Sequence, residues 1–578
     1  MVAIKSVAIM IDIEQAVTNK FPGFAHQPPL IRRPTLSILR KLTHEQEINR
    51  FLEAHGHLHG LDFIDQVFEY FNFSYRVSAR DRQNIPSQGR VVIIANHPIG
   101  SLDGLAILRL ISEVRRDVKI VANDMLMTFE NIQSLLIPLD NMTGGSPRKS
   151  YKCVLNALNN EEAVIIFPAG EVSRASPIGV KDVRWRPGFL SFARKASAPV
   201  LPIHIKAKNS LLFYSASMLF KPLGTMLLAR EMFNKRSALI EFKIGEPIPS
   251  DALASQELND KSLIKRLKKH VYKLGRNKKY NFETLRTVAH PEDRKELQNE
   301  LKNTFLLGET RDHNSIFLSD FNHQVLMREI GRLRELTFRK VGEGTGSRRD
   351  IDGYDQYYEH LILWNHDQLE VAGSYRIGKC AKILSYAGLR GLYTTSLFHF
   401  SENLKKILPN TAELGRSFVN PNYWGKASLD YLWQGIGAYL NHHPEIRYLI
   451  GPVSISADYE KSLVDELVYY YTRFYTGSMN YATGKMPYEL PLETQLILQQ
   501  KYENDNFESG LKKLQNAFSN KNTKMPILFK QYAALFEHGG FQLLAFNIDP
   551  DFSDCIDGLF LADLSKMKSN KRKRYLSS

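Results

Sequence analysis

The chain has 578 residues, more than one hydrophobic core normally holds, so two or three domains are expected. Apolar residues make up 43% and charged residues 24%, which is typical of a globular protein and argues against disorder. Lys and Arg outnumber Asp and Glu by 76 to 61, and the resulting charge of +15 favours an anionic partner such as a membrane surface, a nucleic acid or an acidic protein.

Cysteine usage and hydropathy restrict the compartment. Cys153, Cys380 and Cys555 lie far apart, so neither a zinc site nor a disulfide framework is predicted, and a reducing compartment is expected. The first residues, MVAIKSVAIMIDIEQ, carry charges that interrupt the apolar core of a signal peptide. No window approaches the roughly 20 apolar residues that span a bilayer. Any action on lipids is therefore expected at the membrane surface.

The first part of the chain alternates between short apolar runs and amphipathic stretches, which indicates an α/β domain. We assign this domain to residues 1–282. The apolar runs predicted as buried strands are 91–95, 118–122, 163–167, 199–205 and 238–244. Amphipathic stretches predict helices at 104–114 and 151–159. The segment LDFIDQVFEYF (61–71) is predicted as a helix that packs on the sheet, with contact to lipid as the alternative.

Residues 283–305 are charged and are predicted as a helical linker to a second domain, 306–578. The elements predicted in that domain are a helix at 325–338, strands at 360–364, 369–377, 411–419 and 447–455, and a helix at 428–440. The basic tail KMKSNKRKRYLSS is predicted to be flexible. Its KRKR cluster is either an attachment point for anionic lipid or a solvated end.

The sharpest local signal is VVIIANHPIGSLDG (91–104), in which a buried strand, a Pro/Gly turn and a helix follow one another. His97 lies at the strand-to-helix corner, where active sites of α/β folds gather, and Asp103 lies early in the helix. A helix N-terminus disfavours imidazolium, so His97 is expected to be neutral and basic. Asp103 is expected to hold the other ring nitrogen. A lone His–Asp pair is more commonly a turn residue and a helix-start charge.

Two further segments strengthen the catalytic interpretation: IIFPAGEVSR (165–174) and APVLPIHI (198–205). Together with NHPIGSLDG they resemble, in order and spacing, the glycerolphosphate/lysophosphatidate acyltransferase family over about residues 60–250. The resemblance implies that His97 is the general base that takes the acceptor hydroxyl proton for attack on an acyl thioester, and that Asp103 orients it. The residues that it places around the acceptor are Asn96, Gly170, Glu171, Ser173 and Arg174.

The sequence departs from that family's pattern in two places. Five residues separate His97 from Asp103 where the family has four, and the usual Phe-Pro-Glu-Gly becomes Phe-Pro-Ala-Gly, with Glu171 after the glycine. The second departure argues against a glycerol-phosphate acceptor. Arg174 and Glu171 suit a zwitterion, with the guanidinium on a carboxylate and the carboxylate on an ammonium. The alternative is that the two side chains form an internal ion pair.

The second domain carries another group of motifs, RELTFRKVGEG, LEVAGSYRIG, ELGRSFV and RYLIGPVSIS, within residues 325–456. They resemble the GNAT N-acyltransferase superfamily, and more closely its branch that takes long acyl chains from acyl carrier protein. A turn before a helix offers free N–H groups to a phosphate. The residues of that turn, which would hold the phosphopantetheine phosphate, are Trp424, Gly425, Lys426 and Ala427. The turn has fewer Gly and Arg residues than coenzyme A enzymes usually show, which favours a carrier-protein donor and leaves acyl-coenzyme A possible.

Glu413 lies near the end of a predicted strand, beside the expected thioester. An amine nucleophile is protonated at neutral pH, and a carboxylate at this position is a plausible base for removing its proton. Arg416 is expected to bind the acceptor's carboxylate or to fix Glu413. The alternative is that Glu413 and Arg416, three residues apart, simply pair with each other.

The two domains in one chain resemble the bifunctional synthases of ornithine lipids and related aminolipids. The resemblance implies a glycerolphosphate-acyltransferase-like α/β domain followed by a GNAT-like mixed α/β domain. The second domain would acylate an amino acid's α-amine with a 3-hydroxyacyl group, and the first would then acylate the new hydroxyl. The implied partners are acyl carrier protein, which is acidic, membrane lipids and the amino acid, without a metal, a cofactor or nucleic acid. The implied location is the cytoplasm, peripheral on the inner face of the cell membrane.

Two other interpretations stay open at this stage. A glycerophospholipid acyltransferase fused to a small-molecule N-acetyltransferase predicts acyl-coenzyme A donors and glycerol-phosphate acceptors. A basic peripheral scaffold without turnover predicts that His97 and Glu413 are buried far from any cleft. The sequence does not select the amino acid: ornithine is the default of the resembling family, and glycine, glutamine and lysine are alternatives.

Overall fold

A computed structural model describes residues 11–20, 22–123, 129–139, 147–176, 179–219, 221–254, 259–278 and 281–576 of the chain. The chain divides into two compact units, Met1–His290 and Pro291–Ser578. Each unit is described by itself below.

The first unit is built on a seven-stranded sheet with the order β1-β9-β8-β2-β5-β3-β4. Its neighbouring strands are parallel except for the antiparallel pair β8 and β9. Strands β6 and β7 form a separate antiparallel ribbon. All five strands predicted from apolar runs are present. The strands are β1 (Ser74–Val77), β2 (Val91–Ala95), β3 (Val118–Asn123), β4 (Leu136–Leu139), β5 (Ala163–Ile166), β6 (Arg174–Ser176), β7 (Gly179–Lys181), β8 (Val200–Lys206) and β9 (Leu239–Ile244).

Helices cover both faces of this sheet, which explains why its central strands read as continuous apolar runs. Val91 and Ile93 of β2 pack with α4 and α6 on one face, and Val92 and Ile94 pack with α7, α8 and α12 on the other. The apolar stripe of α4 is therefore in the core. The helices are α1 (Ile13–Lys20), α2 (Pro29–Thr43), α3 (Glu45–His55), α4 (Gly60–Phe71), α5 (Ala79–Arg82), α6 (Ser101–Ser112), α7 (Pro147–Asn159), α8 (Gly188–Lys195), α9 (Leu211–Leu219), α10 (Lys221–Phe233), α11 (Ser250–Ala254) and α12 (Asp260–Leu274).

The second unit has an eight-stranded sheet with the order β10-β11-β12-β13-β15-β16-β19-β18. Every neighbouring pair is antiparallel except β15 and β16. Strands β14 and β17 form a small second sheet. The strands are β10 (Phe305–Glu309), β11 (Asn314–Ser319), β12 (Glu359–Asn365), β13 (Glu370–Lys379), β14 (Phe398–Phe400), β15 (Thr411–Val419), β16 (Tyr448–Ile455), β17 (Ala482–Gly484), β18 (Phe541–Asp549) and β19 (Cys555–Asp563).

Two cores sandwich this sheet. Helices α18 and α19 pack on one face around Tyr375, Ile436 and Phe560, and α14 packs on the other around Ile330 and Trp364. The helices are α13 (Arg294–Leu301), α14 (Gln324–Lys340), α15 (Cys380–Ala387), α16 (Thr394–Leu397), α17 (Glu402–Ile407), α18 (Ser428–His442), α19 (Lys461–Tyr475), α20 (Leu492–Lys501), α21 (Phe507–Asn520), α22 (Ile527–Ala533) and α23 (Ser569–Tyr575). The sequence predicts α14, α18 and four of the sheet strands, and all six are present.

The parallel strands β15 and β16 separate partway along their length. They pair with each other from Thr411–Tyr448 to Glu413–Ile450. Beyond that point each strand pairs only with its other neighbour, β15 with β13 and β16 with β19. One extra residue of β15 lies between Gly415 and Phe418, and Arg416 in this bulge has φ of 46°. A bulge bends its strand. Beyond Glu413 and Ile450, β15 and β16 share no further pair among the described residues.

The predicted linker, residues 283–305, divides between the two units. Thr287 donates to the main-chain oxygen of Asn84 in the first unit. The helix α13 belongs to the second unit, where Leu297 and Leu301 are buried against α14. The segment is thus anchored by a few apolar and polar side chains despite its high charge.

The prediction of a flexible tail is wrong for the described residues up to Leu576. They include α23, whose Tyr575 is buried and donates a hydrogen bond of 2.6 Å to Asp430. The absence of a side chain at Gly437 lets the main-chain oxygen of Tyr575 approach so closely that a Cβ there would lie 1.8 Å away. The burial of Tyr575 thus fixes the helix in place although the neighbouring residues are highly charged. Ser577 and Ser578 lie outside the described residues.

Candidate active sites

His97 lies immediately after β2, at the corner predicted from the sequence. Its Nδ1 is 2.9 Å from Oδ1 of Asp103, which α6 carries in its first turn. The imidazole stacks on Phe167 with 4.1 Å between ring centres. The other nitrogen, Nε2, has no partner among the described residues, and 18% of the side chain is exposed. The ring is thus oriented on one side and accessible on the other.

Asp103 holds both the ring and the turn that leads into α6. Its Oδ2 accepts hydrogen bonds from the main-chain N–H groups of Ile99, at 2.8 Å, and Gly100. Burial lowers the pKa of His97, but the carboxylates of Asp103 and Asp182 more than offset that and raise it above the ordinary value. The sequence predicted a ring kept neutral by the helix N-terminus. The carboxylates overcome that effect.

Asp182 is a member of this site that sequence reasoning missed. Its Oδ1 accepts from the main-chain N–H of His97 at 3.2 Å and from the hydroxyl of Ser173, and its Oδ2 accepts from the Trp185 indole at 2.8 Å. The main-chain N–H of Ser173 donates back to the carbonyl of His97 at 2.7 Å. Asp182 therefore locks the histidine turn to the FPAGEVSR turn. No local motif marks it, because it lies 85 residues from His97.

The other residues predicted around the acceptor have varied positions. The amide of Asn96 is engaged on both sides by the main chain of Ile205, so Asn96 joins two strand ends and is not free to bind a substrate. Gly170 adopts φ of 68°, and the guanidinium of Arg186 lies against it. The ion pair considered for Glu171 and Arg174 is present but long, at 3.5 Å.

Arg174 has hydrogen-bond donors that remain unpaired among the described residues. Its Nε and Nη1 are buried and have no hydrogen-bond partner among the described residues. Its guanidinium lies 5.5 Å from the centre of the Phe213 ring. A buried guanidinium with unpaired donors is costly unless a ligand completes it, and a planar carboxylate matches its geometry.

Glu413 lies on β15 at the last pair before β15 and β16 diverge. Its carboxylate accepts two hydrogen bonds of 3.0 Å from Thr394, one from the main-chain N–H and one from the hydroxyl. The side chain is almost fully buried. Burial raises its pKa to about 7, although Thr394 and Arg376 oppose the shift. A carboxyl group with such a pKa exchanges its proton near neutrality, as a general base must.

Arg416 and Glu413 do not pair with each other. Arg416 contacts Asp350 and Asp352 at 3.4 Å each, and its guanidinium lies between the rings of Tyr393 and Phe552. These contacts are long for ion pairs. The Nε of Arg416 is buried and has no hydrogen-bond partner among the described residues, so this one donor is available to a ligand.

A second buried guanidinium, missed from the sequence, accompanies Arg416. Arg376 donates from Nη1 to both carboxylate oxygens of Asp352, at 2.7 and 2.8 Å. Its Nε and Nη2 are buried and have no hydrogen-bond partner among the described residues. Both guanidinium groups also lie near the Tyr393 ring. Together they form a cationic pair that shares one carboxylate.

Three further buried acids surround this region and were also missed. Glu343 accepts from Ser454 at 2.9 Å, Asp549 accepts from the hydroxyl of Tyr393 at 3.1 Å, and Asp557 lies on β19 opposite Ser454. Burial raises the pKa of Glu343 to about 7 and that of Asp549 above its ordinary value. Burial also raises the pKa of Asp557, and the charges of the other two acids add to that shift.

One loop links this acid cluster to Glu413. Its Tyr393 donates to Asp549, and the next residue, Thr394, donates to Glu413. Arg416 is the cation whose charge lowers the pKa of all three acids. One guanidinium against three carboxyl groups leaves an excess of acid. Within the described residues, no three His, Cys, Asp or Glu side chains are arranged as metal ligands.

The turn before α18 has the predicted form. Residues 424–427 are exposed, Gly425 adopts φ of 77°, and the indole of Trp424 donates to the carbonyl of Val419 at 2.7 Å. No side chain caps the start of the helix at Ala427. The first N–H groups of α18 therefore point outward without an intrahelical partner.

Comparisons with known proteins match the chain to two groups of acyltransferases. Residues 15–278 match the family described as Acyltransferase, and residues 333–434 match the Acetyltransferase (GNAT) domain. Lyso-glycine lipid O-acyltransferase of Phocaeicola vulgatus is 30% identical over 247 residues, which are 42% of this chain and 86% of that protein. Glycine N(alpha)-acyltransferase of the same bacterium is 30% identical over 282 residues, 46% of this chain and 85% of that protein.

The chain belongs to these two acyltransferase families. L-ornithine N(alpha)-acyltransferase of Brucella abortus is a further relative, 30% identical over 130 residues, which are 20% of this chain and 45% of that protein. The resemblances derived from the sequence motifs are confirmed, as is the fold class of two α/β domains. This acyltransferase has no helix, in the part of the chain that the structure describes, long and apolar enough to cross a bilayer.

The first prediction concerns the charge of His97. Its imidazole should titrate above the ordinary pKa of 6.5 in the wild-type acyltransferase. In Asp103→Asn it should titrate below that value, because burial then dominates. Histidine Cε1–Hε1 NMR resonances, assigned with His97→Gln, measure both. Asp65→Asn, which removes an exposed carboxylate on α4, is the control and should leave the titration unchanged. An unchanged titration in Asp103→Asn would contradict the assignment.

Proposed function

We propose that the acyltransferase makes a diacylated amino-acid lipid by two successive transfers from acyl thioesters. The second unit forms the amide of an amino acid with a 3-hydroxyacyl group, and the first unit esterifies the hydroxyl of that product. The observation that carries the proposal is the presence of two separate bases, one in each acyltransferase domain: His97 with a free ring nitrogen, and Glu413 with a raised pKa. The names of the relatives, one O-acyltransferase and one N-acyltransferase, support the same pair of reactions.

In the first reaction Glu413 removes a proton from the acceptor's ammonium. The freed amine attacks the thioester carbonyl carbon, the amide bond forms, and the carbon–sulfur bond breaks. The nitrogen loses a second proton as the amide forms, so that one of the two protons leaves on the thiol and Glu413 releases the other to solvent. The carboxylate of the amino acid is held by Arg416 and the unpaired donors of Arg376. Holding both ends of the zwitterion fixes the nitrogen in line with the thioester.

The donor is acyl carrier protein, carrying its acyl chain on phosphopantetheine. The phosphate binds the N–H groups at residues 424–427 before α18. The pantetheine arm has amide groups, and it extends between the facing edges of β15 and β16 by main-chain hydrogen bonding. This path ends at Glu413, where the strands come together.

In the second reaction His97 takes the hydroxyl proton of the monoacyl product through Nε2. The hydroxyl oxygen attacks a second thioester, the ester forms, and the thiol leaves with the proton returned by His97. Asp103 stabilises the imidazolium that forms in between, and Asp182 keeps the ring in register with the FPAGEVSR turn. Arg174 holds the head-group carboxylate with its unpaired donors.

The acid cluster favours an amino acid with a second ammonium group, such as ornithine or lysine, over glycine. Burial raises the pKa values of Glu343, Asp549 and Asp557, and the charge of Arg416 offsets that effect only in part. An ammonium among them would allow the acids to ionise. The cluster lies across one loop from Glu413, so a single acceptor can present its α-amine to Glu413 and its side-chain ammonium to the acids.

The intermediate is an amphiphile, so the enzyme works on the cytoplasmic face of the cell membrane. Helices α2 and α9 both pack on α10 and expose large apolar side chains. The exposed residues are Leu30, Ile31, Ile38, Leu211, Leu212 and Met218. Nearby Arg33 and Lys41 add attraction to anionic lipid.

The second prediction separates the two reactions in a host that lacks aminolipids. Wild-type protein should produce a diacyl aminolipid with one amide and one ester chain, measured by mass spectrometry of the lipid extract. His97→Ala should accumulate the monoacyl amide, because only the ester-forming base is lost. Glu413→Gln should abolish both products, because the first acceptor is never acylated.

The control is Glu413→Gln supplied with the monoacyl amide. This strain should again yield the diacyl product with one amide and one ester chain. Identical lipids from the empty host and all three strains would contradict the proposal. Loss of both products in His97→Ala would contradict the assigned order.

The third prediction concerns the acceptor. With purified protein, kcat/KM for ornithine should exceed that for glycine by about tenfold or more, since a hydrogen bond between charged groups contributes about 1.5–3 kcal/mol and each 1.4 kcal/mol is a factor of about ten. The double variant Glu343→Gln/Asp557→Asn should reduce the preference toward one, mainly by raising KM for ornithine. Glu309→Gln, an exposed acid on β10, is the matched control. A preference for glycine in wild-type protein would contradict the role of the cluster.

A further inference from the structure

The last helix of the chain, α23, presents a dense group of positive charge. Lys566, Lys568 and residues 571–574 place six cations within nine positions. Arg572 donates to the main-chain oxygen of Leu564, and Arg574 pairs with Asp430. Lys571 and Lys573 have no charge partner among the described residues and are half-exposed and exposed, respectively.

The position of α23 is fixed by α18. Arg574 donates from Nε and Nη2 to the two carboxylate oxygens of Asp430, at 3.1 and 2.6 Å, and Tyr575 donates to the same group. Asp430 belongs to the first turn of α18, three residues after Ala427. The close approach of Tyr575 to Gly437 holds the helix farther along. The C-terminal end of the basic helix is therefore held against the first turn of α18, the helix that begins at the turn proposed to receive the donor phosphate.

The chemistry of a carrier-protein donor determines what lies next to the phosphate site. In a carrier protein the pantetheine phosphate is esterified to the protein itself, so the carrier's surface must lie within a few bonds of the phosphate. Whatever flanks residues 424–427 then contacts the carrier. Lys426 is exposed in that turn, and the lysines of α23 belong to the helix that Asp430 holds through Arg574. An acidic carrier surface is complementary to them.

We propose that α23, together with Lys426, is a docking surface for the acidic acyl carrier protein that delivers the acyl group to the second unit. The inference rests on the proposed carrier-protein donor and adds the surface that recognises its protein part. The docking charges act on the carrier and not on the thioester. They therefore set the affinity for the carrier-bound donor and leave the chemical step unchanged.

A membrane surface is the competing occupant of a basic helix, and the composition of α23 argues against it. A helix that lies on a bilayer needs an apolar face in addition to basic residues. The helix reads SNKRKRY, and its one large apolar residue, Tyr575, is buried against the protein. Only charged and polar side chains remain for the partner.

The test uses full-length protein and two donors that share one acyl group, the acyl carrier protein and free acyl-phosphopantetheine. The variant is Lys571→Glu/Lys573→Glu, which leaves Arg574 and Tyr575 to hold the helix. For the carrier-bound donor, KM should rise about tenfold, as expected when charges at the rim of an interface are reversed. For acyl-phosphopantetheine, KM and kcat should not change. The control is Lys382→Glu/Lys406→Glu, which reverses two exposed lysines on α15 and α17.

Three results would overturn the inference. Unchanged KM for the carrier-bound donor would show that α23 does not contact the carrier. Equal losses with both donors would show that the helix has only a structural role. Loss of binding to vesicles of phosphatidylglycerol and phosphatidylethanolamine, with kinetics unchanged, would assign the helix to the membrane. A wild-type protein that uses neither donor would instead contradict the proposed function, a distinct outcome.

Discussion

The burial of a carboxyl group at the point where β15 and β16 separate is the constraint on which the second unit depends. Glu413 is removed from water, so its proton is bound more tightly than in an exposed glutamate, although the two hydrogen bonds from Thr394 oppose that effect. The strand bulge at Arg416 opens the sheet beside it. In the proposed mechanism, the base and the path of the donor therefore depend on the same local feature of the sheet.

In the first unit the proposed base is a histidine and not a carboxyl group. His97 is surrounded by carboxylates that favour its charged form, and a hydroxyl acceptor needs a base that accepts a proton and then releases it. Asp103 orients the ring, and Asp182 ties the histidine turn to the neighbouring turn. In the proposed reactions the two bases serve different acceptors: an ammonium must lose one proton before its nitrogen can attack, whereas a hydroxyl loses its proton as it attacks.

Local patterns predicted much of this arrangement. The strands of the first sheet follow from short apolar runs that are buried on both faces, and His97 and Asp103 lie within one strand-turn-helix segment. Asp182, Arg376 and the acid cluster could not be predicted in this way, because their meeting depends on pairing between distant strands such as β16 and β19. The last helix was missed because one buried tyrosine, not its charge, decides its position.

The most direct test of the account is the pH dependence of kcat/KM for the amino-acid acceptor. Because only deprotonated Glu413 can act as base, the rate should rise with pH and bend near pH 7 in wild-type protein. Glu343→Gln should retain the bend although Glu343 has a similar pKa, whereas Glu413→Gln should lose it together with most of the activity. A bend that disappears in Glu343→Gln and persists in Glu413→Gln would contradict the assignment of the base.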